Sequence, residues 1–125
     1  MELKFVAATK PGPVSVTVKR RQRLVQRINQ QIGYCEIMKS GQLPRAAWAW
    51  MDETGSYFLP IKYGRQQIEL KKGMFSILCK DPSEIEAALG SVREMVLSGQ
   101  FDDQLAKASK LLPIHRVDLR ANKAP

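Results

Sequence analysis

Cysteine and histidine are scarce in this chain: Cys35, Cys79 and His115 are all it has in 125 residues. Two distant thiols and one imidazole can neither fill a tetrahedral zinc site nor staple a small scaffold with disulfides. Both cysteines read as small buried apolar residues in a reduced, cytoplasmic setting. Long apolar runs are missing too, and nothing approaches the ~20 residues that a membrane span needs. The opening "MELKFVAATKPGP" lacks the apolar core and small-residue cleavage site of a signal peptide, so none is expected.

Catalytic signatures are equally thin. There is no glycine-rich phosphate loop, no GxSxG, no HExxH and no EF-hand loop. His115 follows Pro113 near the end, and Asp102, Asp103 and Asp118 have no spacing that marks acid–base work. Asp81 and Asp102 are better explained as helix caps. The expectation is a protein that is not an enzyme and has no metal or cofactor.

Acid is what the first half lacks most. The formal charge is +8, from 20 Lys and Arg against 12 Asp and Glu. Residues 1–51 carry nine bases and only Glu2 and Glu36 as acids, whereas 52–112 carry eight bases and nine acids. A basic half beside a neutral half favours an acidic partner, nucleic acid before membrane. The run "KRRQRLVQR" places Lys19, Arg20, Arg21, Arg23 and Arg27 within nine residues with no acid among them. An exposed helix ordinarily mixes signs for i,i+4 support, so this run reads as a phosphate-contacting surface rather than a merely solvated face. Its apolar stripe is interrupted by Gln31 and Gly33, which argues against a membrane-surface helix.

The length suits one domain. Residues 1–14 read as a short strand or arm broken by "KPGP". From Ser15 to about Met38, Leu24, Val25, Ile28, Ile32 and Cys35 recur at helical spacing, and Ser15 or Thr17 caps the start. Four short strand-like runs follow at 45–51, 56–63, 66–71 and 74–80, with turn signals between them. Connections this short predict an antiparallel meander, and Pro60 predicts an edge or a bulge in the second run. "DPSE" at 81–84 opens a helix: Asp81 caps, Pro82 takes the first position and Glu84 returns a bond to the cap. A further helix is expected over 101–112. The fold class expected is α+β: one domain over 1–112, with helices covering one face of a four-stranded meander, and a basic tail over 113–125.

"WAWMDETGSY" at 48–57 holds both tryptophans, on one face if the segment is a strand. Facing the helices they are core; facing outward among cations they form a platform on which bases stack. The usual burial of tryptophan weighs Trp50 toward the core, while Trp48, near the strand start, stands evenly between the two. One ring is expected to be structural and the other a platform.

The stretch "YFLPIKYGRQQIELKKGMFSILCKDPSEIEAALGSVREMV" resembles part of the Whirly, PUR-type and positive-cofactor-four domains, in element order and in its "YG…IELKKG" rhythm. That resemblance implies single-stranded nucleic acid as ligand and a homodimer as the working unit. It implies Lys62, Tyr63, Arg65, Lys71 and Lys72 as the contacting set, with Trp48 or Trp50 stacking. Phe58 or Tyr63 would offer further rings. The basic helix lies outside that unit, and Asp52, Glu53 and Glu69 dilute the positive charge of the sheet. The whole chain is also similar to small basic phage and prophage proteins, which implies the alternative: a module that inhibits or recruits a host protein.

Overall fold

Ser15 starts the first helix as expected, its side chain accepting a bond from the Val18 amide at 3.2 Å. The computed structural model describes residues 2–8 and 15–109, so "KPGP" and the tail lie outside the described residues. Residues 2–8 form no regular element, and Leu3, Phe5 and Val6 stand exposed. Helix α1 (Val16–Lys39) buries Leu24, Ile28, Gln31, Cys35 and Met38, one stripe at helical spacing. Five strands follow: β1 (Trp50–Met51), β2 (Tyr57–Pro60), β3 (Lys62–Tyr63), β4 (Gln66–Gln67) and β5 (Ser76–Cys79). Helix α2 (Pro82–Leu97) and a helical segment α3 (102–109) complete the α+β fold.

The sheet is not the four-stranded meander expected. Three strands pair antiparallel in the order β1-β2-β5, and β3-β4 is a separate hairpin. One local and one long-range feature split it. The ladder of β2 ends at Pro60, which has no amide to donate, and Ile61 pairs instead with Ile68, whose N–H reaches its carbonyl at 2.7 Å. The segment "QQIELK" is then drawn away from the sheet by α3. Gln104 accepts from the Glu69 amide at 2.7 Å and donates to the Glu69 carbonyl at 2.8 Å. A side-chain amide thus satisfies the backbone groups that a neighbouring strand would have taken.

Alternation is clear in β5 and partial in β2, where Pro60 is buried beside Leu59. Leu59 and Cys79 are buried and Tyr57 and Ile77 half-buried on the face turned to the helices, while Phe58 and Leu78 face outward. Leu59, Ile61, Tyr63 and Ile68 join Leu24, Ile28, Ile85, Leu89, Val92 and Val96 in one core. Helices α1 and α2 pack along one another. The cap of α2 departs from expectation in one bond. Asp81 accepts from the Glu84 amide at 2.9 Å, but the Glu84 carboxylate returns to the Lys80 amide, one residue before the cap.

Gly99 closes α2 with φ +89°, a left-handed cap: its N–H meets Val96 and the Gln100 N–H meets Met95. A Cβ here would lie 2.8 Å from an Arg21 guanidinium nitrogen. Gly99→Ala combines a left-handed alanine with displacement of that side chain. It is expected to lower stability by about 1–2 kcal/mol, read as an earlier urea midpoint with unchanged slope. Gly33, which has open space around it, is the control position.

Candidate nucleic-acid interface

The basic run lies on the solvent side of α1 because the buried stripe fixes the opposite face. Lys19, Arg23 and Arg27 are exposed and Arg20 is half-exposed, and none makes an ion pair among the described residues. Arg21 differs. Its guanidinium grips Asp102 at the start of α3, Nε to Oδ1 at 2.9 Å with a second bond from Nη2 to Oδ2. That two-pronged bond raises the Arg21 pKa and holds the Asp102 carboxyl below its ordinary value. Arg21 is therefore committed to the fold, and nothing in the basic run signals this, because its partner lies 81 residues away. Asp102, read as a cap, serves as that partner.

Two further cations outside the expected set are also engaged. Lys39 bridges Glu36 and Glu86 at 3.1 Å each, and Arg93 donates to Asn29 at 2.6 Å.

Gln31 was visible in the sequence only as an interruption of the apolar stripe. It is buried, and its side chain ties the loop before β1 to α1. Its Oε1 accepts from the Trp48 amide at 2.7 Å, and its Nε2 donates to the Ala46 carbonyl at 3.1 Å. This clamp sets Trp48, half-buried, beside a cleft of about 200 Å³ lined by Arg27, Trp48, Lys62 and Gly64. The helix, the loop and β3 each contribute one of the expected residues. Gly64 is the addition. It takes φ +63° as the first of two residues linking β3 to β4, the place where a type II′ turn requires glycine. No carboxylate lines the cleft.

The tryptophans reverse their expected weighting. Trp50 is 49 % exposed and stacks on Phe58 with ring centroids 4.6 Å apart and planes at 21°. The pairing of Trp50 with Phe58 and of Phe58 with Leu78 aligns these three side chains across the outer face. Ala49, not Trp50, enters the core. The chain turns at 45–49 before the ladder begins at Trp50, so the alternation expected over 45–51 covers only its last two residues.

Tyr63 is not available to stack. It is 2 % exposed, with its hydroxyl 3.2 Å from that of Ser109. Arg65, Lys71 and Lys72 are exposed as expected, on or near the hairpin. Asp52 keeps its negative charge, tied into its own turn. Its carboxylate is occupied by the Thr54 hydroxyl and by the amides of Thr54 and Ser56, which hold its pKa down.

Cys35 and Cys79 are free and buried, and burial pushes the Cys35 thiol up to about 11. Among the described residues no group of acidic, cysteine or histidine side chains is placed to hold a metal. No helix among them is long and apolar enough to cross a membrane. Comparison of the chain with models of known families, with characterised proteins and with solved structures found no match.

Proposed function

We propose that the chain is a non-enzymatic nucleic-acid-binding protein that prefers single strands and acts in the cytoplasm. One observation carries this reading: Arg27, Trp48 and Lys62, from three separate elements, line one cleft without a carboxylate. Two cations beside an indole are suited to a phosphate and an unstacked base, since stacking and phosphate neutralisation act together on a single strand. A base in a duplex is already stacked and keeps its faces from the indole. The exposed cations of α1 and of the hairpin extend the positive surface beyond the cleft. Trp50, stacked on Phe58 by one face and half exposed, supplies a second ring.

An uncharged outer row of Trp50, Phe58 and Leu78 favours the other reading, a host protein as partner. Salt separates the two, because binding at phosphates releases counterions and apolar association does not.

Fluorescence anisotropy of labelled single- and double-stranded oligonucleotides at low and raised salt tests the proposal, with tryptophan emission read in parallel. Single strands are expected to bind more tightly, to lose affinity as salt rises and to quench emission. Trp48→Ala is expected to weaken binding roughly five- to a hundredfold, the span of one stacked base. Absence of single-strand binding at low salt would rule the proposal out.

A further inference from the structure

We propose that two copies of the chain pair edge to edge through β5, forming a six-stranded antiparallel sheet with a two-fold axis through Leu78. The three-stranded sheet has two outer strands, and they are protected unequally. β1 is two residues long and runs into the tight turn at Asp52, which limits what can pair with it. β5 has four residues, Ser-Ile-Leu-Cys, with no charge, proline or glycine, and no strand pairs with its outer edge among the described residues. Leu78 at its centre is 65 % exposed. An uncharged edge of this kind is a template for another strand.

The occupant proposed is a second copy, because the uncharged β5 edge can pair with itself without opposing like charges. In antiparallel self-pairing with the axis normal to the sheet, opposite residues must face the same side, so the axis passes through one residue. With Leu78 on the axis, Ile77 lies opposite Cys79 of the second copy and Ser76 lies opposite its Lys80. No two lysines face each other, although each chain carries +8. Inward residues stay with inward residues. The outer row then runs without interruption from Trp50 through Phe58 and Leu78 to the same three side chains of the second copy. At the usual strand spacing it spans about 24 Å. The pairing stands independently of nucleic-acid binding, although it would double the flat surface available to a strand.

The full chain is tested by light scattering from dilute to concentrated solution. A dimer is expected, and Leu78→Lys, which sets two ammonium groups against each other on the axis, is expected to weaken it by more than ~100-fold. Because Leu78 faces solvent, circular dichroism should show the variant folded. Leu78→Cys gives a second measurement. Opposite residues have Cα atoms about 4.5–5.5 Å apart, within disulfide range, so mild oxidation should link two copies. Ser76→Cys should not link, because its counterpart lies roughly 13 Å away along the strand. A chain that stays monomeric when concentrated, a dimer indifferent to Leu78→Lys, or linkage through Ser76→Cys in preference to Leu78→Cys would each overturn the proposal.

Discussion

Gln31→Leu is expected to destabilise the protein by about 2–3 kcal/mol and to release Trp48 from its place beside the cleft. The change nearly preserves side-chain size on a buried face, so the apolar stripe by itself would predict a harmless or even favourable effect. The structure points the other way, because the Gln31 amide is what the Trp48 N–H and the Ala46 carbonyl bond to. Leucine would leave a donor and an acceptor without partners at a part-buried site, and that penalty outweighs the gain in apolar burial. Urea unfolding measures the cost. Tryptophan emission in a Trp50→Phe background, with Trp48 as the single reporter, measures the release as a red shift. Gln31→Glu is the discriminating companion. Its carboxylate still accepts from Trp48, but it turns a second oxygen toward the Ala46 carbonyl. Only the protonated acid can donate there, so folding raises its pKa. Stability relative to wild type should therefore be recovered below the unfolded carboxyl value of about 4.3 and lost as pH rises through the folded value. Equal stability of all three proteins would show that the clamp holds nothing.

The second large effect is expected from Arg27→Ala combined with Lys62→Ala. Neither side chain makes an ion pair among the described residues, so stability should stay within about 0.5 kcal/mol of wild type. Single-strand affinity at low salt should fall on the order of 30-fold or more. The dependence of log affinity on log salt should flatten by about 1.4, because two phosphates would no longer be neutralised. Arg65→Ala with Lys72→Ala removes the same charge from two exposed turns outside the cleft-lining set. It should flatten the slope less. If the two pairs behave alike, net charge rather than the cleft governs binding. If neither changes the slope, the phosphates are held elsewhere.

What could be read from the sequence follows the range of the forces involved. The starts of α1 and α2 depend on residues three apart: Asp81 before Pro82 was legible to the residue, and Ser15 before Val16 was one of two caps the sequence offered. The alternation that buries Leu59, Ile61 and Tyr63 was legible because its period is local. Tyr63 was expected as a contacting or stacking ring, and its place on the buried side of that alternation rules this out. Strand order was not legible, since it turned on Gln104 reaching Glu69 from 35 residues away. Nor was the fate of the cations. Arg21 and Arg27 look alike in the run, and only the placing of Asp102 separates a fold contact from a candidate ligand contact. Gln31 illustrates the hardest case: a buried polar side chain shows in a sequence as a flaw in a pattern, and its partners appear only in the fold.

The packing of α1 on α2 also has a consequence for how the chain is made. The apolar stripe of α1 is covered by a helix that begins at Pro82, so residues 40–81 must be synthesised before its cover exists. At roughly 5–20 residues per second that is an interval of seconds. Through it the nascent chain displays a basic amphipathic helix with its greasy side bare, beside a ribosome made largely of RNA. Of the helices described, α1 is made before the one that covers it.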